Sequence, residues 1–171
     1  VMTLRRRSFA AGMAGLVAVT LLAGCGFKLR SSQNFAFQTV AVTPERGAGV
    51  AAELTRYLGE AVRPVAPRDG GAPPEAIVDI LQELREKTVV GVNASGQVRE
   101  FQLRIKVKFR MRTPKGVELI APTEIVQQRD ISFNESAVLA KEAEEALLYR
   151  DMQTDIVQQL LRRLAAVKSL D

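Results

Sequence analysis

The chain has 171 residues, with 24 Lys and Arg against 19 Asp and Glu, one cysteine and no histidine. Imidazole base catalysis and histidine-bound metal are thereby excluded. A single thiol closes no disulfide within the chain, so the fold must be held by its apolar core, for which 47% hydrophobic residues suffice. The pI of about 9.7 owes part of its height to Arg5, Arg6 and Arg7; without those three, 21 basic residues face 19 acidic ones, and nucleic acid is not implied.

The three arginines precede a stretch without charge from Phe9 to Ala23. A basic start, an apolar run of about 7 to 15 residues and small residues before a cut are the layout of an export signal. A spanning helix needs roughly 20 apolar residues, and this run ends in Gly24-Cys25-Gly26. Arg6-Arg7-Ser8-Phe9 also partly resembles a twin-arginine signal. Leu22-Ala23-Gly24-Cys25 resembles the lipobox of bacterial lipoproteins, in which the thiol receives a diacylglyceryl group, the chain is cut before the cysteine and the new amine is acylated. On that resemblance residues 1–24 are a lipoprotein signal peptide, Cys25 is the lipidation site, and residues 25–34 are a polar tether. Two or more acyl chains anchor stably where one is marginal. Gly26 after the cysteine, where an Asp would retain the protein, resembles lipoproteins sorted onward to the outer membrane. Residues 35–171 make one domain.

Phe35 to Thr43, carrying Val40 and Val42, predicts a short strand ended by Pro44. Val50, Leu54, Leu58 and Ala61, joined by Tyr57 and Val62, recur at the helical period of about 3.6 residues, with Glu53, Arg56, Glu60 and Arg63 opposite and Pro64 as the stop. Arg68 to Pro74 has the composition of an exposed loop, and its glycine pair lacks the lysine of a phosphate cradle. Ile77 to Val92 is helical by propensity in part. A strand is favoured because Val78, Ile80 and Leu84 share one parity against Asp79, Glu83, Arg85 and Lys87, and Thr88-Val89-Val90 is rich in β formers. Asn93 to Gln97 supplies a hairpin turn.

The clearest period follows. Phe101, Leu103, Ile105, Val107, Phe109 and Met111 alternate with Gln102, Arg104, Lys106, Lys108, Arg110 and Arg112, which predicts a strand with one apolar face and one basic face. Like charges roughly 6.5 to 7 Å apart lie within a Debye length of about 8 Å, so this ladder repels itself unless anions lie nearby. A polyanionic ligand would supply them. So would acids in register on neighbouring strands, with Glu83, Glu86, Glu118 and Glu124 as candidates, and a solvated basic face also resists edge-to-edge pairing.

Pro114-Lys115-Gly116 is a turn. Val117 to Phe133 predicts a long strand with Val117, Leu119, Ala121, Ile125, Ile131 and Phe133 on one parity, at an edge or bulged at Pro122. Asn134 is a plausible cap for a helix from Ser136 to Val167. There Met152, Ile156, Leu160 and Leu164 form the stripe, flanked by Leu139, Ala143, Leu147, Val157 and Leu161, with acids early and bases late. Strand, helix, three meandering strands and helix predict an α+β two-layer sandwich of about four strands with two helices on one face, β-α-β-β-β-α, the basic ladder pointing away from the helices.

Leu22-Ala23-Gly24-Cys25-Gly26-Phe27-Lys28-Leu29-Arg30, this order of elements, Gly96-Gln97 before the long strand and Ala140-Lys141-Glu142 opening the last helix together resemble the LptE family of outer-membrane lipoproteins of lipopolysaccharide assembly. The resemblance spans essentially the whole mature chain. It implies a non-catalytic protein with no cofactor beyond the lipid on Cys25, held at the periplasmic side of the outer membrane and within a barrel lumen. It also implies a one-to-one partner, the LptD-type β-barrel, which the protein plugs and helps to fold, and lipopolysaccharide as ligand. Lys141 matches the family's lipopolysaccharide-binding lysine. The family's basic residue in the hairpin has no counterpart in Asn93-Ala94-Ser95-Gly96, so Arg104, Lys106, Lys108 and Arg110 are the expected substitutes toward lipid A and core phosphates, since Arg and Lys pair strongly with phosphate oxygens. Catalysis would have to come from carboxylates or a Ser-Lys pair. Yet Glu144 and Glu145 diverge by about 100° on a helix and no serine lies in a Gly-x-Ser-x-Gly elbow. A periplasm-facing scaffold or anionic-ligand-binding lipoprotein unrelated to lipopolysaccharide transport is the alternative, distinguished by whether a barrel is stably bound.

Overall fold

A computed structural model describes residues 34–67 and 70–170. The readings for the signal peptide, for Cys25 and for all of the tether but Asn34 lie outside the described residues, as do Arg68 and Asp69 of the loop.

The sheet has four strands in chain order: β1 (Val40–Thr43), β2 (Ala76–Val92), β3 (Val98–Arg112) and β4 (Glu118–Ser132). Helix α1 (Gly49–Leu58) crosses from β1 to its parallel neighbour β2; β2, β3 and β4 form an antiparallel meander; helix α2 (Val138–Ala166) ends the fold. Both helices pack on one face, giving the predicted two-layer α+β sandwich. Its core sits where the two stripes meet β3. Leu103, Ile105, Val107, Phe109 and Met111 are wholly buried beneath Val50 and Leu54 of α1 and Met152, Ile156, Leu160 and Leu164 of α2. Each such side chain contributes about 1.5–3 kcal/mol of transfer free energy.

The first strand is shorter than its pattern. Phe35 and Phe37 stack with centroids 4.9 Å apart, and the Gln38 and Thr39 amides donate to the Glu75 carboxylate at 2.5 and 3.3 Å instead of joining a ladder. Helix α1 is also shorter. Gly59 leaves the helix at φ 54°, a single 3-10 turn follows over Gly59–Ala61, and Val62 comes back to bridge Val40. No side chain of its own caps α1; the Val50 amide donates instead to Glu83 of β2 at 2.8 Å, where a carboxylate also complements the helix dipole. Gly49, at φ 56°, lets that carboxylate approach, and an added Cβ would collide with it.

Glu83 can reach α1 only because β2 changes face part-way. The register slips between Ile80 and Gln82, a β-bulge at Leu81, so the apolar parity of Val78 and Ile80 does not continue. Beyond the bulge Glu83, Arg85, Lys87 and Val89 turn to the helical side. Leu84 and Glu86 turn to the open side, the reverse of the predicted parity. On β4 the register slips across Ala121 and Pro122, so Ile120 lies opposite Met111 in place of Leu119 or Ala121; β4 is also the edge strand, so both expectations for Pro122 hold.

Asn134 caps the 3-10 turn over Glu135–Ala137, its side-chain oxygen accepting from the Ser136 amide at 3.0 Å, and not the helix itself, which begins at Val138 after Ala137 without a side-chain cap. Leu139, Ala143 and Leu147, however, are exposed, Leu139 at 81%. Leu147 precedes Met152 by five residues, about 140° round the helix, so these three lie away from the buried stripe. Followed back from Met152 in steps of three and four, the inward side carries Leu148, Glu145 and Lys141. No described helix is long and apolar enough to cross a membrane.

Candidate functional site

The basic ladder lies on the open face of the sheet and is largely neutralised there. Asp79 of β2 accepts from Arg110 Nε at 2.7 Å, from Arg112 Nε at 2.8 Å and from Thr43 Oγ1 at 2.7 Å. Burial would raise the Asp79 pKa, but the hydrogen bonds from Arg112, Thr43 and Arg110, with the charge of Arg112, outweigh it and hold the carboxyl below the ordinary aspartate range. Glu86 takes Lys106 at 3.0 Å and Arg104 at 3.9 Å. Of the acids expected from the sequence, Glu86 alone pairs with the ladder; Glu83 has turned to the other face, and Asp79 does the larger share. Among the described residues Lys108 is the ladder cation without an ion-pair partner, although Glu124 stands opposite it in register.

Lys141 is on the other face, so the structure does not bring it together with Arg104, Lys106, Lys108 and Arg110. It lines a cavity of about 230 Å³ between the first turns of α2 and the far end of the sheet. Phe101, Ile131, Phe133 and Val138 give that cavity apolar walls, and the rings of Phe101 and Phe133 meet edge to face at 5.3 Å. Two lysines stand over them. Lys141 Nζ donates to Ser132 Oγ at 3.0 Å and to Glu144 Oε2 at 2.8 Å. Lys87 Nζ donates to Glu145 Oε2 at 2.6 Å and lies 4.4 Å from the Phe101 centroid. On the far side of that ion pair is an open groove of about 440 Å³, lined by Arg85, Lys87, Glu142, Glu145, Ala146 and Tyr149. Arg85 is held by Gln153 Oε1 at 2.7 Å and lies over the Tyr149 ring at 5.6 Å; the Tyr149 hydroxyl donates to the Glu86 carbonyl at 2.9 Å. Burial and the Glu145 charge push the Tyr149 pKa up, with Arg85 opposing.

A cationic rim over an aromatic and aliphatic floor can hold an anionic headgroup attached to an apolar body. Lys87, Glu145, Phe101 and Phe133 are not singled out by the sequence pattern as site residues. The signal that would have placed Lys87 is the broken alternation at Ile80-Leu81, which flips the strand; the signal for Glu145 is the phase of the Met152 stripe.

Residues 37–164 match the family described as LptE, lipopolysaccharide-assembly. The chain is 26% identical over 156 residues to the LPS-assembly lipoprotein LptE of Pectobacterium atrosepticum, covering 88% of this chain and 82% of that protein. It is similar to the solution NMR structure of uncharacterized lipoprotein B from Nitrosomonas europaea, at 36% identity and a TM-score of 0.66, covering 82% of this chain and 91% of that one. The crystal structure of the rare lipoprotein B from Shewanella oneidensis shares the fold at 21% identity and a TM-score of 0.59, covering 75% of this chain and 92% of that one.

Proposed function

The chain belongs to the LptE family of lipopolysaccharide-assembly lipoproteins, and on that premise we propose that it is a non-catalytic outer-membrane protein, anchored by lipid on Cys25, that binds lipopolysaccharide in the Lys141 cavity and plugs and helps to assemble an LptD-type β-barrel. The observation that carries the binding half is the pairing of Lys141 and Lys87 over Phe101, Ile131, Phe133 and Val138. Cations there meet phosphate oxygens through charge-assisted hydrogen bonds, and the floor takes the adjoining apolar portion. At about 230 Å³ the cavity is smaller than the ~300–1,000 Å³ of drug-sized ligand sites, so it holds a phosphate end and not a whole glycolipid. The open-face ladder has Lys108 left to offer, its other expected members being engaged by Asp79 and Glu86.

The test is lipopolysaccharide binding by the full-length chain extracted in mild detergent. Lys141→Ala is expected to weaken it about tenfold, in line with the roughly 1.5–3 kcal/mol of a hydrogen bond to a charged group, while joint neutral replacement of Lys106 and Lys108 weakens it less. A larger loss on replacing Lys106 and Lys108 than in Lys141→Ala would move the site to the open face, and an unchanged Lys141→Ala would remove it from the cavity. Intact mass of the same preparation reads the rest: a lipidated chain bound one-to-one to a large barrel supports the plug, and a lipidated chain recovered alone leaves a periplasm-facing lipoprotein without one.

A further inference from the structure

Resting on this reading of the cavity, we propose that Glu145 is the resident counter-ion of the site: it holds Lys87 in the empty protein and yields that lysine to a phosphate of the incoming lipid, so that binding exchanges a carboxylate for a phosphate. The Lys87–Glu145 pair is the one ion pair among the described residues that joins β2 to α2, at 2.6 Å, with the two side chains 37% and 22% exposed. It is therefore close to solvent and open to competition. Lys87 is also the group best placed to receive an anion, because its ammonium sits over the Phe101 ring that floors the cavity.

The exchange conserves charge pairing on both sides. A phosphate carries about −1.5 to −2 charge at neutral pH and three strong acceptor oxygens, against one charge and two oxygens on the carboxylate, so it outcompetes Glu145 for Lys87 when it arrives attached to an apolar body that fills the floor. The displaced carboxylate has a cation in the same groove to turn to: Arg85, bonded to the neutral Gln153 at 2.7 Å and to the carboxylate of Glu83 only at 3.4 Å. Glu145, Arg85 and Tyr149 all line that groove. Lys87, Glu142 and Glu145 line both cavities, so the Lys87–Glu145 pair borders each of them. The competing carboxylate also keeps the affinity moderate, which suits a protein that must pass its ligand on.

The experiment compares the full-length chain in detergent with its Glu145→Gln and Glu145→Asp variants, using lipopolysaccharide and the same lipopolysaccharide treated with phosphatase. Glu145→Gln is expected to bind intact lipopolysaccharide about threefold tighter, the scale of one solvent-accessible ion pair. Glu145→Asp, which reaches less far toward Lys87, gains in the same direction. The gain vanishes on the dephosphorylated probe and in the Lys87→Met/Glu145→Gln double variant. Equal or weaker binding by a folded Glu145→Gln, or a gain that persists without phosphate, overturns the exchange while a loss in Lys141→Ala still upholds the cavity. If no variant and no parent chain binds either probe, both readings fall together.

Discussion

Where β1 pairs with Ala76–Asp79 the sheet is four strands wide and both helices roof it, whereas beyond Arg85 it is three strands wide and only the first turns of α2 lie above it. The difference follows from length. Strand β2, at 17 residues, runs roughly 55 Å, and α2, at 29 residues, runs about 44 Å. Helix α1, at 10 residues, covers about 15 Å. One end is consequently closed by Leu54, Leu160 and Leu164 into a fully buried core. At the other end charged side chains face the helix layer, and a cavity of about 230 Å³ lies between sheet and helix. Stability is concentrated at one end of the molecule and the candidate binding chemistry at the other.

The sharpest way to break that comparison is to hollow the closed end. Phe109 is wholly buried and Arg163 lies over its ring at 5.9 Å. Phe109→Ala is expected to cost about 3–5 kcal/mol in denaturant unfolding. A loss below about 1 kcal/mol would mean that the near-end core collapses around the cavity and that the ends are less distinct than their packing implies.

A smaller effect is expected at Asp79, which ties Thr43 of β1, Arg110 and Arg112 together across three strands. Asp79→Asn is expected to cost about 1–3 kcal/mol at neutral pH, the scale of hydrogen bonds to a charged group, with the exposed portions of both arginines limiting the loss. Because the native pKa is held down, the carboxylate's contribution is complete above the ordinary aspartate value of about 3.9 and is lost as the pH falls through the lowered native one. The gap between parent and variant is therefore expected to narrow below about pH 4. A gap that stays constant to lower pH would assign the effect to packing in place of charge.

Much of the closed end was legible in the sequence, because strict alternation over Phe101 to Met111 and the period of Met152 to Leu164 leave one arrangement that buries both faces. The open end was not. There the decisive event is a single extra residue at Leu81, after which Glu83, Arg85 and Lys87 point at the helices although simple parity sends them the other way. Its trace is the apolar pair Ile80-Leu81, where the alternation Val78-Asp79-Ile80 would put a polar residue. Lys141 was legible through its resemblance to a family position, while Lys87 and Glu145 required the register. The ladder's partners divide in the same way: Glu86 keeps its place because it lies on the parity that the bulge turns toward Arg104 and Lys106, and Asp79 pairs with Arg110 because it lies before the slip.

The smallest expected effect is also the most direct check on the phase of α2. Leu139, 81% exposed, and Leu147, 51% exposed, look like core residues if the helical stripe is extended by fours from the start of the helix. Counted back from Met152 they fall on the solvent side, opposite Lys141 and Glu145. Leu139→Ser and Leu147→Ser are then expected to change unfolding free energy by no more than about 0.5 kcal/mol each, the range of surface substitutions. Leu148→Ser, one position on and packed against the core, should cost clearly more, about 1–3 kcal/mol for a polar group placed against apolar neighbours. If Leu147 proved the costly one, α2 would be turned by about 100°, which would carry Lys141 and Glu145 away from the sheet and leave Lys87 as the one lysine over the Phe101 ring.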